Sequence, residues 1–467
     1  MSHFEGPFRL KSLPYPTILQ TAELPCCFPR SGAAGGILRF LAALHSEGLV
    51  AMDVFLARQP IFDAREEVQA YELLFRSGLD NFFADVDPTQ ATAQVIEQCS
   101  DILGLDEIAP GKRVFINATR ECLLGGHITL LPKERVAVEI LETVEPDAEV
   151  IAACERLKAA GYELVLDDFV YEERYRPLMH VADMVKVDVL ASEVERQRFM
   201  AEQCVTIGIP LVAEKVETRE AFEQARDMGY SYFQGYFFCR PRIIRAKTIP
   251  GFRLNYLRLL KEVYRPELDF REIATIMEQE MALCYKLLRY LNSAWFGLKN
   301  RITSVAHAVT YLGEREFRKW AAVVVVANLA ADEPDELVVH SLVRARFCES
   351  LSPLFGMPAR KQEMFLMGMF SLIDVILGRP MEEALADLPL ATDVKLALLG
   401  EANRHRELYE YVLACERGDW ETAHSRAAAR NVDERMVPPL YREAVAWAHQ
   451  AFESVGSRES GAAQPAS

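Results

Sequence analysis

Acidic and amide residues recur at the ends of short apolar segments in the first half of the chain. Asn117 ends Val-Phe-Ile-Asn, Asp167 and Asp168 end Leu-Val-Leu-Asp-Asp, and Glu214 ends Leu-Val-Ala-Glu. The same placement is shared by Glu72, Glu139, Lys186, Asp188 and Gln234. Carboxylate and amide oxygens are the ligands that hard divalent cations prefer. The set therefore indicates a Mg²⁺ or Mn²⁺ site rather than a zinc site.

Two adjacent Asp residues together with Lys and Glu suit the hydrolysis of a phosphodiester. Asp167 and Asp168 can hold two metal ions close together, and such a pair polarises a phosphodiester and generates hydroxide from bound water. Lys186 can offset negative charge and help to position that water. Glu214, if it is not saturated by metal, has the chemistry of a general base.

Each of these residues also has an ordinary structural interpretation. An Asp-Asp pair after a strand often caps the next helix, and a single Glu near a strand end is commonly solvated. The joint pattern favours a site, because seven successive strand ends bear acidic or amide residues. Crowded carboxylates without partners repel one another, so stability alone does not account for the pattern.

The segments that carry these residues alternate with amphipathic helical stretches between Asp53 and Pro241. Repeated strand–helix units predict a mostly parallel sheet with right-handed crossovers. Seven or eight units in about 190 residues favour an α/β TIM-like (β/α)8 barrel, whose strands meet at one mouth at their carboxyl ends. An open doubly wound sheet is the alternative, but no Gly-x-Gly-x-x-Gly follows the first strand. The predicted strands are Val54–Ala57, Val68–Leu74, Val114–Asn117, Val136–Leu141, Glu163–Asp167, Met184–Val187, Pro210–Ala213 and Tyr232–Gln234.

After Pro250 the pattern changes to consecutive helices with apolar residues three and four positions apart, such as Ile273, Ile276 and Met277. This predicts a separate all-α domain. The expected organisation is a poorly ordered extension at 1–51, a barrel domain at 52–245, an all-α domain at 250–455 and a disordered tail at 456–467. Met52 directly precedes the first strand, so a start at Met52 instead of Met1 is an alternative.

Composition excludes several classes of function. The formal net charge is −16, which disfavours duplex nucleic acid as a partner because nucleic acid is bound mainly by clustered Lys and Arg. The ten cysteines include no Cys-x-x-Cys pair. Scattered cysteines of this kind are typical of reduced thiols in a cytoplasmic protein. The longest apolar run, Ala321 to Ala331, is too short to span a bilayer and predicts a buried helix.

Short motifs between Asp53 and Pro241 follow one another in a specific order. The region opens with Arg58-Gln59-Pro60-Ile61-Phe62-Asp63 and Tyr71-Glu72-Leu73-Leu74-Phe75-Arg76. It continues with Phe115-Ile116-Asn117, Glu139-Ile140-Leu141-Glu142, Leu166-Asp167-Asp168-Phe169, Lys186-Val187-Asp188, Ala213-Glu214-Lys215-Val216-Glu217-Thr218 and Gln234-Gly235-Tyr236-Phe237-Phe238. In this order the motifs resemble the EAL domain, the family of cyclic di-GMP phosphodiesterases.

The resemblance implies a role for each matching position. The matches to metal ligands are Glu72, Asn117, Glu139 and Asp167, and Asp168 matches a ligand of the second metal. Lys186 matches the lysine near the attacked phosphate, and Glu214 matches the proposed general base. The matches to substrate-binding positions are Gln59, Leu74, Arg76 and the pocket amide Gln234, while Glu142 and Glu217 match residues that brace the mouth loops. The implied cofactor is a pair of Mg²⁺ or Mn²⁺ ions.

Three features depart from the family pattern. Leu73 replaces the alanine of the Glu-Ala-Leu motif, and Lys215 replaces the glycine that follows the base. Val170 to Tyr175 replace a Gly-Thr-Gly-Tyr-Ser-Ser stretch, which in the family organises the second metal and the dimer contacts. The primary ligand set is thus intact, the loop beside it is rebuilt, and a homodimer is a possible assembly.

Two segments of the helical half carry a second resemblance. They are Lys286–Ala294 and Ile302–Gly313, and they resemble an HDOD domain, a relative of the HD phosphohydrolases without their His-Asp chemistry. Ser371-Leu372 stands where those enzymes carry His-Asp, and Leu does not bind metal. His307 and His340 remain, but isolated helical histidines are mostly core or surface residues. The resemblance implies a regulatory or protein-binding domain.

Three functions are compatible with these patterns. The first is a bacterial signalling enzyme that hydrolyses cyclic di-GMP to the linear dinucleotide pGpG, with the helical domain as a regulatory or output module. The second is a cyclic di-GMP receptor with little turnover, which the rebuilt loop and Lys215 favour. The third is a protein-interaction scaffold. The expected partners are cyclic di-GMP and an unidentified signalling protein that binds the helical domain.

Overall fold

The computed structural model describes residues 55–76, 102–169, 171–239, 251–265, 281–291, 305–386 and 388–456, with short pieces at 267–268, 272–273, 276–277 and 302. The predicted extension at 1–51 lies outside the described residues, as do residues 457–467 of the predicted tail. Gly456, which was assigned to that tail, is the last residue of a helix.

Eight strands close into a barrel in the first half of the chain, in the order β1 to β8. They are β1 (Phe55–Asp63), β2 (Val68–Arg76), β3 (Arg113–Ala118), β4 (Val136–Ile140), β5 (Glu163–Leu166), β6 (Met184–Asp188), β7 (Leu211–Glu214) and β8 (Tyr232–Gln234). From β2 to β8, each strand is parallel to the one that follows it in this order. The predicted barrel is confirmed, and closure excludes the open doubly wound sheet.

The first strand runs against the others, because a hairpin joins it to the second. β1 is antiparallel to both β2 and β8, and it is longer than the predicted strand Val54–Ala57. Asp63 closes the turn, since its Oδ1 accepts hydrogen bonds from the main-chain N–H groups of Arg65 and Glu67. Four residues are too few for the crossover that a parallel pair needs. The amino-terminal part of β1 therefore lies at the mouth, beside the carboxyl ends of the other strands.

Six helices accompany the barrel strands within the described residues. They are α1 (Ile102–Ile108), α2 (Arg120–Gly125), α3 (Ala148–Ala160), α4 (Arg176–Val181), α5 (Val194–Ile207) and α6 (Arg219–Asp227). α3 begins at Asp147, whose carboxylate accepts hydrogen bonds from the N–H groups of Glu149 and Val150. It ends at Gly161, which adopts a left-handed conformation with φ 94°. These end signals fix where each helix returns to the sheet.

The second half is helical, as predicted. The described helices are α7 (Gly251–Val263), α8 (Met281–Leu291), α9 (Val305–Leu329), α10 (Asp335–Leu351), α11 (Lys361–Met369), α12 (Ile373–Leu377), α13 (Met381–Ala386), α14 (Thr392–Leu398), α15 (Arg404–Arg417), α16 (Trp420–Ala429) and α17 (Val437–Gly456). The apolar run that begins at Ala321 forms the buried carboxyl-terminal part of α9. None of the described helices combines the length and the apolar character needed to cross a membrane.

The barrel and the helical domain pack together in one compact unit in the described part of the chain. Tyr71 of β2 donates a hydrogen bond of 2.8 Å to the carboxylate of Glu336 at the start of α10. Arg58 of β1 lies 3.9 Å from the same carboxylate and stacks over the Tyr71 ring. All three side chains are buried. An ionic and aromatic contact therefore joins the first hairpin of the barrel to the helical domain.

Candidate active site

The inner face of the barrel carries an apolar layer and, nearer to the mouth, a polar layer. The apolar layer contains Ile61, Ala70, Phe115, Ala137, Val165, Met184 and Val212. Side chains two positions apart on a strand point to the same face. Two positions toward the mouth from these residues lie Gln59, Glu72, Asn117, Glu139, Asp167, Lys186 and Glu214. The strand period thus places seven of the predicted site residues in one layer at the mouth.

The Lys186 ammonium lies at the centre of this layer and is completely buried. Its Nζ is 2.6 Å from Glu214 Oε1 and 2.7 Å from Glu139 Oε1. It is also 3.0 Å from Asp167 Oδ1 and 3.1 Å from Glu72 Oε2. One ammonium therefore faces four carboxylates contributed by four different strands.

Gln234 completes the layer from β8. Its Nε2 donates hydrogen bonds to Glu72 Oε2 at 2.5 Å and to Gln59 Oε1 at 3.0 Å. Gly235 follows with φ 144°, and a Cβ built there would lie 2.3 Å from the main-chain oxygen of Val216. Only glycine fits this conformation and this close approach. The glycine therefore fixes Gln234 against the loop that follows Glu214.

Burial and mutual repulsion perturb the pKa values of this cluster. Burial raises the pKa of Glu214 to about 8, an effect that Lys186 opposes and Asp167 reinforces. Burial also raises the pKa of Asp167, and it raises that of Glu139 well above its usual range. Burial alone would lower the pKa of Lys186, but the surrounding carboxylates outweigh it and hold that pKa well above its usual value. The cluster has more acidic groups than one ammonium can neutralise.

Several buried oxygens of the polar layer have no hydrogen-bond donor. These are Asn117 Oδ1, Gln234 Oε1 and both carboxylate oxygens of Glu139. The 2.7 Å contact of Glu139 with Lys186 is an ion pair without hydrogen-bond geometry. Asn117 and Glu139 lie opposite each other in the β3–β4 register. In the described part of the chain no three His, Cys, Asp or Glu side chains are arranged to hold a metal ion, since the carboxylates enclose Lys186 instead. These residues nevertheless suit a hard cation for three reasons. Their ligand atoms are oxygens, their negative charge exceeds that of one ammonium, and several of their buried oxygens lack a hydrogen-bond donor.

Asp168 and Lys215 form a second charged group beside the cluster. Both residues adopt left-handed backbone conformations, with φ 44° and φ 54°. Lys215 Nζ lies 2.6 Å from Asp188 Oδ2 and 3.6 Å from Asp168 Oδ2. The lysine that replaces the family glycine therefore keeps the glycine-like backbone and places a cation between two carboxylates.

A cavity of about 800 Å³ opens above the polar layer. The barrel contributes Gln59, Glu72, Leu74, Asp167, Asp168, Glu214, Glu217 and Gln234, all of which were predicted as site residues. Glu142 is exposed and does not line the cavity, and the structure describes the backbone of Arg76 but not its side chain. The opposite wall comes from the helical domain and includes Arg344, Ser371, Tyr409, Leu413 and Arg417. Sequence reasoning missed this wall.

Comparison with known proteins follows the same division of the chain. The EAL domain family matches residues 45–241, and the HDOD domain family matches residues 249–451. The Bacillus subtilis (strain 168) protein YuxH is 33% identical over 411 residues, which cover 86% of this chain and 100% of YuxH. This chain belongs to the family of proteins that combine an EAL domain with an HDOD domain.

Other relatives share one or both domains. CdgJ from Vibrio cholerae serotype O1, which is named a cyclic di-GMP phosphodiesterase, is 33% identical over 396 residues. These residues cover 84% of this chain and 92% of CdgJ. Among solved structures, BlrP1 from Klebsiella pneumoniae, in a complex with calcium and cyclic di-GMP, is 22% identical with a TM-score of 0.35. That similarity covers 44% of this chain and 65% of BlrP1.

In the HDOD domain, a buried ion pair lies beside Ser371, the residue that the resemblance matches to the His of the His-Asp pair in HD enzymes. Ser371 Oγ donates a hydrogen bond of 2.8 Å to the main-chain oxygen of Gly368 and accepts one of 3.2 Å from Arg344. Arg344 in turn donates three hydrogen bonds of 2.8–3.0 Å to the carboxylate of Glu416. His340 Nε2 lies 3.3 Å from that carboxylate. His307, by contrast, is exposed on α9.

Proposed function

We propose that this EAL–HDOD protein is a metal-dependent phosphodiesterase that opens cyclic di-GMP to the linear dinucleotide pGpG. The observation that carries the proposal is the layer of four carboxylates around Lys186 at the floor of the cavity. The name of CdgJ, a relative over nearly its whole length, supports the same reaction and substrate. The cavity is also lined by both domains, and its volume of about 800 Å³ suits a ligand the size of a dinucleotide.

The first cation site would use the oxygens that the protein leaves without donors. Glu72, Asn117, Glu139 and Asp167 would hold Mg²⁺ or Mn²⁺, and the Lys186 ammonium would have to share this centre with the ion or leave it. A bound divalent ion polarises the phosphodiester and stabilises the charge that develops on it. Asp168 would be the carboxylate available to a second ion, but the Lys215 ammonium competes for it at 3.6 Å.

We infer that Glu214 acts as the general base, because its carboxylate lines the cavity. Burial raises its pKa to about 8 in the absence of metal, whereas a divalent ion beside it would favour the ionised form that accepts a proton. Glu214 would take a proton from water as the water oxygen bonds to phosphorus and the P–O3′ bond breaks. The O3′ leaving group takes a proton from solvent, the proton on Glu214 returns to solvent, and the product keeps a 5′-phosphate. Lys186 would stabilise the negative phosphoryl oxygens, and Gln234 would keep Glu72 in place.

A cyclic di-GMP receptor with little turnover is a second candidate. The observation that favours it is Lys215, because its ammonium lies between Asp168 and Asp188 and would weaken a second metal site. In either case the HDOD domain would serve as the regulatory or output module and bind a signalling protein. A homodimer through the rebuilt loop would be compatible with both functions.

The decisive experiment is a hydrolysis assay on the full chain. Purified protein is incubated with cyclic di-GMP and either Mg²⁺ or Mn²⁺, and pGpG is measured by chromatography. We expect product from the wild type and a loss of about 10²- to 10⁴-fold in Glu214→Gln, the range for removal of a general base. Glu223→Gln, an exposed glutamate on α6, is the matched control and should retain wild-type activity.

The result that would sink the enzyme proposal is an absence of pGpG from wild type in both metals. Binding of cyclic di-GMP without product would then favour the receptor. Chelation with EDTA should abolish product formation, and re-addition of Mn²⁺ should restore it.

A further inference from the structure

One face of a helix in the HDOD domain forms part of the cavity wall. Tyr409, Leu413 and Arg417 follow one another on α15 at intervals of four residues, and all three line the cavity. Residues four apart lie on the same side of a helix. The wall is therefore a continuous helix face, and Arg417 stands at its carboxyl-terminal end.

The end of this helix is fixed against the barrel on both sides of Arg417. Tyr236, which follows the Gln234-Gly235 pair, donates a hydrogen bond of 2.8 Å to the main-chain oxygen of Glu416. On the other side, Gly418 ends α15 with φ +69°, and a Cβ built on it would lie 3.1 Å from Leu74 Cδ1 of β2. The neighbours of Arg417 thus contact two elements that belong to the substrate site. The position of the Arg417 backbone relative to the barrel mouth follows from these contacts.

Arg417 differs from the other cations that line the cavity. Lys215 is paired with Asp188 at 2.6 Å, and Arg344 is paired with Glu416 at 2.8 Å. Hydrogen bonds from Thr422 lower the pKa of the nearby Asp419 carboxyl, and the charge of Arg417 adds a smaller effect. Arg417 is exposed and forms no ion pair within the described part of the chain. Its guanidinium is therefore available to a ligand, whereas the acidic layer of the barrel forms the floor of the same cavity.

We propose that Arg417 of the HDOD domain binds the phosphate of cyclic di-GMP that is not under attack, so that the substrate site is completed by both domains. The inference rests on the function proposed above. Cyclic di-GMP carries two phosphates and two uncharged bases, so it has one anion for the catalytic cluster and one that needs another partner. A guanidinium binds a phosphate through two parallel hydrogen bonds and holds its charge at any physiological pH.

A comparison of two substrates distinguishes loss of a contact with the second phosphate from damage to the catalytic cluster. Cyclic di-GMP carries both phosphates, whereas bis(p-nitrophenyl) phosphate carries one and has no guanine. For Arg417→Ala in the full chain, we expect KM for cyclic di-GMP to rise about 10- to 100-fold with little change in kcat, as for a lost charge-assisted contact. Hydrolysis of bis(p-nitrophenyl) phosphate should not change. Arg430→Ala is the control, because Arg430 lies at the end of α16 and pairs with Glu407 away from the cavity.

A binding measurement keeps the test independent of turnover. Equilibrium dialysis with labelled cyclic di-GMP and Mg²⁺ compares Glu214→Gln with the Glu214→Gln/Arg417→Ala double variant, and Kd should rise by the same factor. Unchanged KM and Kd would overturn the role of Arg417 and leave the proposed phosphodiesterase activity standing. An equal loss of activity on both substrates would have the same meaning. If wild type binds without hydrolysis, the proposed function fails and the Kd ratio decides on Arg417. If wild type neither binds nor hydrolyses, both proposals are wrong.

Discussion

The buried pair between Arg344 and Glu416 should contribute strongly to the stability of the protein. Both side chains are nearly inaccessible to solvent. Burial alone would raise the pKa of Glu416, but Arg344 and His340 outweigh it and lower the pKa from its ordinary 4.5 to about 2. A shift of this size corresponds to about 3 kcal/mol of stability from ionisation at neutral pH. Glu416→Gln keeps the shape and removes the charge, so it should lower the free energy of unfolding by about that amount.

An independent argument gives a similar value. Removal of one partner from a buried ion pair leaves an uncompensated charge and costs about 3–5 kcal/mol. At roughly 2–4 °C per kcal/mol for a domain of 150–250 residues, 3 kcal/mol lowers Tm by about 6–12 °C. Urea denaturation followed by circular dichroism measures the free energy, and calorimetry measures Tm. Glu421→Gln, an exposed glutamate on α16, is the control and should change stability by less than about 0.5 kcal/mol.

The pH dependence has a definite sign. Folding lowers the pKa of Glu416, so its contribution is fully present above about pH 4.5 and disappears as the pH falls through about 2. The difference between wild type and Glu416→Gln should therefore be largest at neutral pH and narrow below pH 4.5. A difference below about 0.5 kcal/mol at pH 7, or one that widens in acid, would refute the reasoning. Arg344→Met combined with Glu416→Leu removes both charges and should recover much of the loss.

Three further changes test other parts of the site. Gly235→Ala should lower the free energy of unfolding by at least about 1–3 kcal/mol because of its backbone conformation, and the overlap with Val216 should add to this loss. It should also lower turnover. Denaturation measures the first effect and the pGpG assay the second. Lys215→Met should increase the affinity for a second Mn²⁺, because it frees the Asp168 carboxylate. Titration calorimetry reports the number of ions bound and their affinity, and no change in either would contradict this prediction. Lys186→Met leaves four carboxylates without their cation and should cost about 3–5 kcal/mol in metal-free protein. Added Mn²⁺ should restore part of that loss, as seen in urea denaturation with and without the metal.

The layer at the barrel mouth could be predicted because it follows from local sequence. Each polar residue lies two positions from an apolar residue of the inner layer, as Glu139 does from Ala137 and Asn117 from Phe115. Strand period and barrel closure are then sufficient to bring these side chains together. The centre of the layer could not be predicted in the same way. The Lys186 ammonium fills the space among the carboxylates because its side chain reaches far enough across the barrel, and the strand period does not specify this reach.

The direction of the first strand left a signal that sequence reasoning did not use. Ten residues separate the predicted strands Val54–Ala57 and Val68–Leu74, and in the structure four residues separate β1 from β2. A parallel connection needs a dozen residues or more, so this spacing alone indicates a hairpin. The consequence is functional, because the reversed strand brings Gln59 to the mouth, where it accepts a hydrogen bond from Gln234.

The contacts between the two domains left no comparable signal. Tyr71 and Glu336 are 265 positions apart in sequence, and Glu336 in the first turn of a helix is typical of a solvated residue that favours the helix dipole. Tyr409, Leu413 and Arg417 likewise have the spacing of any amphipathic helix. Such long-range pairs are fixed by the packing of complete domains, which periodicity within one segment does not contain.

The segment whose resemblance implies a loss of His-Asp chemistry also supports the cavity wall. Ser371, which the resemblance puts at the position of the HD histidine, contacts Arg344. Arg344 binds Glu416, and the main chain of Glu416 accepts the hydrogen bond from Tyr236 of the barrel. Leu372 cannot bind a metal ion, and the Arg344 guanidinium would repel one. The ion pair of Arg344 and Glu416 therefore fills this region and holds the end of α15 against the barrel. Displacement of Arg344 or Glu416 would disturb the position of Arg417 in the cavity wall.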